Sequence, residues 1–152
     1  MHRLTEEIDE CTAELSRRIP VIAPALLAIV GCGSLTAAKI LGETAGVTRF
    51  RSKDAYARHN GTAPLPVWSS NKARHRLSRA GNRQLNAALH RIALTQARCH
   101  PGARELLARR KAGGDGGLEA LRILKRRLSD VVNRALIDDH PTSAARTLIL
   151  AA

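Results

Sequence analysis

Leu121, Leu124, Leu128, Val131 and Ala135 recur at spacings of 3, 4, 3 and 4. Only an α-helix puts side chains so spaced on one face, because its 3.6-residue turn stacks positions i, i+3, i+4 and i+7. The spacing predicts a helix over about 118–137 with this row turned inward. Arg122, Lys125, Arg126 and Arg127 fall between those positions and are expected to make its outer surface basic. Such a surface either keeps a helix solvated or contacts phosphate, and the spacing alone leaves both readings open. Leu85, Leu89 and Ile92 mark a second long helix over 82–99, with Asn82 as its N-cap and Pro101 as its stop,. A shorter helix is expected over 102–111, followed by a glycine-rich link at 112–117,. Aromatic residues make up 2% of the chain. The core must therefore be aliphatic, and residues that favour strands are scarce. The expected fold class is all-α.

Leu4, Ile8, Cys11 and Leu15 form one stripe of an N-terminal helix over 1–18, read as the end of a coiled-coil arm and ended by Pro20,. One main domain is expected over 19–137, with a small tail over 138–152. Within it, residues 24–46 read as two short helices, with Leu26, Ile29, Ala37, Ile40 and Leu41 inward and Gly31-Cys32-Gly33 between them. Two short helices joined by Gly-x-Gly resemble a helix-hairpin-helix motif. The glycines allow left-handed backbone angles and the approach of a phosphate to free N–H groups of the second helix. An ordinary helical corner is the alternative. A short helix is expected from Arg51 to His59, with Ser52 as a cap, and Asn60-Gly61 is a turn signal,. Residues 61–80 have no helical period, and Pro64 and Pro66 hold the backbone extended,. About 20 residues of irregular or hairpin structure follow, a length usually found in functional loops.

Charge is concentrated in the middle of the chain. Residues 1–70 hold 8 Lys and Arg against 7 Asp and Glu, residues 71–134 hold 16 against 4, and residues 135–152 hold 1 against 2. The middle stretch thus supplies the whole net charge of +12. A cationic region so concentrated points to a polyanion, nucleic acid before others. The cysteines, Cys11, Cys32 and Cys99, are odd in number and form no CxxC pair. A disulfide framework is not expected, and a reducing cytoplasm fits. Cys99-His100 lacks a partner pair at zinc spacing, so no metal site is expected and a buried thiol is. No apolar run approaches the length needed to span a membrane, and the charged N-terminus is not a signal peptide.

Several phrases in order resemble the C-terminal domain of transposases of the insertion-sequence 110/116/902 family. They are Ile-Pro-x-Ile at 19–22, Val-Gly-x-Gly-x-x-x-Ala-x-x-Ile at 30–40, and Phe50-x-Ser52-Lys53. Asn60-Gly61-Thr62-Ala63-Pro64 and the serine loop follow, then Arg76-Leu77-Ser78-Arg79-Ala80-Gly81-Asn82-Arg83-Gln84-Leu85, and finally Glu119 to Arg127. The resemblance covers roughly residues 15–135. It implies a recombinase that mobilises DNA, in which a serine attacks a phosphodiester and holds a covalent phosphoserine during strand exchange. Counting five residues past Pro64 assigns that role to Ser69. Ser70 stands where the family has Gly, and it is the alternate nucleophile. Lys72, Arg74, Arg76 and Arg79 would stabilise charge on the phosphate. Gly31, Gly33, Asn82 and Arg83 are the remaining candidate nucleic-acid contacts. Both serines could instead only make local turns.

The resemblance also implies a RuvC-like domain with four acidic ligands for a divalent metal, Mg²⁺, together with a structured guide RNA and an oligomeric recombinase. The acids of residues 1–18 lie on one short helix and cannot form that site, so no cofactor is expected in this chain. It is expected to be the C-terminal part of a recombinase, truncated and inactive in strand transfer alone. The alternative function is non-catalytic DNA or RNA binding through the helix-hairpin-helix.

Overall fold

A computed structural model of the chain describes residues 2–67, 74–76 and 80–140. Its helices are α1 (His2–Ile22), α2 (Pro24–Leu27), α3 (Ser34–Thr44), α4 (Lys53–His59), α5 (Arg83–Cys99), α6 (Pro101–Ala112) and α7 (Gly117–Asp138). A 3₁₀ turn, Val47–Arg49, joins α3 to α4. The fold is all-helical apart from a small antiparallel ribbon, β1 (Leu65–Val67) with β2 (Arg74–Arg76), in the stretch read from sequence as irregular or hairpin.

Helices α5 and α7 form the centre. Helix α5 packs on α3, α6 and α7, while α7 also carries α2, α4 and α6. Leu26, Ile40, Tyr56, Leu85, Leu89, Ile92 and Val132 are fully buried where these helices meet. Each such aliphatic side chain contributes about 1.5–3 kcal/mol relative to exposure. Sequence signals set the helix ends. Ser52 Oγ accepts from the Ala55 N–H at 3.2 Å at the start of α4. Asn82 Oδ1 accepts from the N–H groups of Gln84 and Leu85 at 2.9 and 3.0 Å at the start of α5. At the α5–α6 corner, His100 Nδ1 accepts from the Ala103 N–H at 3.2 Å.

The C-terminal end of α7 closes the structure onto its beginning. Asp139 Oδ1 accepts from the Ala25 N–H at 2.8 Å, and Oδ2 from the Leu26 N–H at 3.0 Å. Helix α2 has Pro24 at its first position and no side-chain cap of its own from Ala23. A carboxylate more than a hundred residues away satisfies its free donors instead.

Four expectations are corrected. Pro20 does not end α1, which continues to Ile22. A proline removes one N–H and bends a helix, but buried Ile19 and Ala23 on either side hold it, with the Ala23 N–H donating to the Ile19 carbonyl at 2.8 Å,. Val131 is 48% exposed, whereas Val132 and Leu136 are buried. The buried row therefore runs Leu124, Leu128, Val132, Leu136 at intervals of four, and α7 is covered on more of its circumference than one stripe. Lys125 is not on an outer surface either; it is 7% exposed, and Arg126 is half-buried. Finally, Cys99 is exposed, with its thiol donating to the Thr95 carbonyl at 3.2 Å, and Cys32 is the buried cysteine. Burial alone pushes the Cys32 thiol up to about 11.

Candidate nucleic-acid interface

The stretch bearing the candidate serine leaves the helical body after α4 and returns to it at α5. Gly61 takes φ +73°, and the N–H groups of Thr62 and Ala63 both donate to the Ala57 carbonyl, at 2.9 and 3.1 Å. On the return, the Asn82 N–H donates to the His59 carbonyl at 2.6 Å. Between these points the backbones of Gly61 and Gly81 touch. A Cβ on Gly81 would lie 2.4 Å from both Cα and N of Gly61. The need for hydrogen in place of a side chain at Gly81 comes from this crossing. The two ends of the excursion are thus clamped side by side at the end of α4.

Buried polar groups fix that root. Asn60 is fully buried. Its Nδ2 donates to Ser129 Oγ on α7 at 2.8 Å, while its Oδ1 accepts from the Thr62 N–H at 3.1 Å and from Thr62 Oγ1 at 2.7 Å. Asn86 Nδ2 donates to the Asn60 carbonyl at 2.9 Å, and Lys125 Nζ donates to Asn86 Oδ1 at 2.6 Å. A continuous chain of hydrogen bonds therefore links a lysine of α7 to the first residues of the loop. Burial, then the nearby Arg122 charge, lower the pKa of Lys125. Burial, then the Lys125 charge, likewise lower that of His90, one turn further along α5.

Beside the root lies an open cleft of about 380 Å³, walled by residues 61–64 on one side and by Arg110 and the first half of α7 on the other. Its lining carries Arg110, Arg122, Lys125, Arg126 and Arg127 against one carboxylate, Glu119. Arg126 is engaged by Asp130 and by Asp54, the latter at 2.5 Å, and Arg110 by Asp115 at 2.5 Å. Among the described residues, Lys125, Arg122 and Arg127 have no acidic partner.

Ser69, Ser70, Lys72 and Arg79 lie outside the described residues. Arg74 and Arg76 belong to β2, whose register is Leu65 with Arg76, Pro66 with His75 and Val67 with Arg74. Arg83 is exposed at the first turn of α5. Asn82 is occupied within the protein: besides capping α5, its Nδ2 donates to Glu43 Oε2 at 2.7 Å. Two of the α5 donors that a phosphate could meet are therefore already engaged.

Gly31 and Gly33 are elsewhere. Gly31 takes φ +87°, and a Cβ there would lie 2.9 Å from Thr95 Cβ. Gln96, buried in the same part of α5, donates from Nε2 to the Val30 carbonyl at 2.9 Å. Gly33 has φ −79° and stands as the N-cap of α3 without a side chain to close the helix end. Thirteen residues of α5 separate Asn82 from Thr95, about 20 Å of helix. The Gly-x-Gly turn and the serine-loop root thus sit at opposite ends of α5, and the features adjacent in the sequence reading do not meet at one point.

Residues 23–108 match the model of the IS116/IS110/IS902 transposase family, more than half of the 152-residue chain. The chain belongs to that family. No curated protein matches it. Membership makes DNA the partner of this transposase-family chain. No helix among its described residues is long and apolar enough to cross a membrane. The match takes in α2 to α5, the ribbon and most of α6, but stops short of α7, which with its C-cap supplies Lys125, Ser129 and Asp139 to the contacts described above. Sequence reading missed Asn60, Asn86, Gln96 and Ser129 as supports of the site. Only the turn signal at Asn60-Gly61 hinted at them, because a buried amide is recognised by partners 26 to 69 positions away.

Proposed function

We propose that the chain supplies the DNA-binding and serine-nucleophile part of a transposase that mobilises an insertion sequence by strand cleavage and exchange. One observation carries this reading beyond family membership. The excursion 62–80, which holds Ser69, Ser70, Lys72, Arg74, Arg76 and Arg79, springs from a root locked by Gly61, Gly81 and Asn60 beside a cationic cleft. Holding the two ends of a segment side by side lowers the entropic cost of ordering it on DNA.

In the proposed step, Ser69 Oγ loses its proton and forms a bond to phosphorus. The bond from phosphorus to one deoxyribose oxygen breaks, and that oxygen leaves as a hydroxyl after taking up a proton. A hydroxyl of the new strand then attacks the phosphoserine and releases Ser69. Lys72, Arg74, Arg76 and Arg79 stabilise the charge gathered on the non-bridging oxygens. Among the described residues no three His, Cys, Asp or Glu side chains come together to hold a metal. The divalent ion would be held by the RuvC-like acidic domain that the resemblance implies, with which this part would act as an oligomer directed by a structured guide RNA.

The test combines the chain with such a domain and a labelled element end. Ser69→Ala should abolish the covalent protein–DNA adduct and leave binding unchanged, while Ser70→Ala should keep adduct formation within about tenfold of wild type. Retention of adduct by Ser69→Ala and its loss in Ser70→Ala would move the role to Ser70. A second reading, non-catalytic DNA or RNA binding through the turn at Gly31 and Gly33, draws on the left-handed Gly31 and the uncapped start of α3. It is favoured if neither serine variant changes any activity.

A further inference from the structure

We infer that the cleft between residues 61–64 and α7 is a nucleotide subsite that seats one unit of a single DNA strand, with its phosphate held by Arg122, Lys125 and Arg127. The inference rests on the nucleic-acid-binding role proposed above and adds a site on α7, beyond the span that the family model matches.

Charge pairing supports it first. The five cations of the lining divide into two sets. Arg110 and Arg126 are spent on carboxylates of the protein itself, whereas Arg122, Lys125 and Arg127 line the cleft with no carboxylate partner among the described residues. A protein surface seldom gathers three unneutralised cations around a concavity without an anion to share them, because their mutual repulsion is otherwise unrelieved. The repulsion is felt here, since the Arg122 charge acts on Lys125.

Desolvation comes second. Lys125 is 7% exposed and its hydrogen-bond partner is a neutral amide, Asn86 Oδ1 at 2.6 Å. Holding an ammonium group in this position costs free energy that an amide does not fully return. A phosphate oxygen in the cleft would complete the shell of donors that the lysine presents.

Shape comes third and selects the occupant. Ala63, Pro64 and Ile123 give the cleft an apolar lining, while the exposed guanidinium groups of Arg122 and Arg127 carry the charge. A duplex offers phosphates but keeps its base faces stacked. A single strand offers both a phosphate for the cations and an apolar base or sugar face for the lining. The cleft is also lined by residues 61–64, where the stretch that leads in sequence to Ser69 departs.

The test measures binding of the full 152-residue chain to a fluorescein-labelled single-stranded DNA of about 20 nucleotides by anisotropy over a salt series. The double variant Arg122→Gln/Arg127→Gln alters two exposed side chains with no acidic partner among the described residues, so folding should survive; thermal melting checks this. Expected is an affinity loss of about tenfold or more at low salt, with the slope of log K against log salt reduced by about 0.7, the value for one lost phosphate contact on a single strand. The control Arg91→Gln/Arg104→Gln removes the same charge from exposed positions outside the cleft and should leave the slope nearly unchanged. An equal loss in both double variants would mean a diffuse field effect and overturn the subsite. So would an unchanged slope in the cleft variant, or a loss confined to RNA or to duplex DNA. Adduct formation by the same cleft variants separates the two proposals. If Ser69→Ala abolishes adduct while cleft variants bind like wild type, the subsite fails and the serine reading stands.

Discussion

The two ends of α5 are built by different means. At its C-terminal half, the Gly31 turn is held by close packing on Thr95 and one hydrogen bond from Gln96 to the Val30 carbonyl. Val30 and Leu35 beside it remain exposed. At its N-terminal end, the loop root is held by Asn60, Asn86, Asn82, Ser129 and Lys125 through directional hydrogen bonds, and by the Gly61–Gly81 crossing. Apolar packing tolerates small shifts, since its energy follows area rather than angle. A buried polar network does not, because each unmet donor or acceptor carries its own desolvation penalty. The hydrogen-bonded end is the one from which the stretch 62–80 departs, and the packed end is the one at which Val30 to Gly33 turn.

Substitutions can break this contrast, and their effects should fall in order. Gly81→Ala drives a methyl group into the Gly61 backbone and should cost about 3 kcal/mol or more, seen as a lower urea midpoint,. Gly33→Ala at the other end meets no atom within 4 Å and should cost less than about 1 kcal/mol,. If the two are equal, the crossing at the root is not a constraint. Asn60→Ala leaves Ser129 Oγ and the Thr62 N–H without their partner and should cost about 2–4 kcal/mol, against about 1 kcal/mol for Gln96→Ala at the turn,. The same urea titrations rank these two. Asp139→Ala uncaps α2 and should cost about 1 kcal/mol, with Asp139→Asn recovering part of it,.

The smallest effect sharpens the contrast through pH. The folded state holds the pKa of His90 below its ordinary value of 6.5, through burial first and the Lys125 charge second. Below 6.5 the unfolded chain therefore binds more protons at this site than the folded one, and stability must fall as pH drops from 6.5 through the lowered folded value. Above 6.5 the residue adds no slope. His90→Gln should flatten that acid limb in a series of melting curves, and an unchanged limb would show that folding does not lower the pKa of His90,.

How much could be read beforehand follows the distance over which each feature is determined. Helix limits at Ser52, Asn82 and Pro101 come from neighbours within one turn, and they stood as expected. The row on α7 was legible in kind but not in detail. A repeat of 3 and 4 selects Val131, while packing by α2, α4, α5 and α6 around the helix selects Val132. Lys125 looked like surface because lysine usually is, and nothing local announces Asn86 as its partner. The constraint on Gly81 comes from Gly61, twenty positions earlier, and no neighbour in sequence announces it. The Gly-x-Gly turn and the serine loop follow each other in sequence, but only the structure shows that the length of α5 holds the turn and the loop root apart.

The bond from Asp139 to the start of α2 gives α7 the part of a keystone. Residues 23–108 name the family, but a protein cut at 108 would lose the beam on which α2, α4, α5 and α6 all lean. Shortening experiments should therefore spare everything up to Asp139, since the segment sufficient for recognition by comparison is smaller than the segment sufficient for folding.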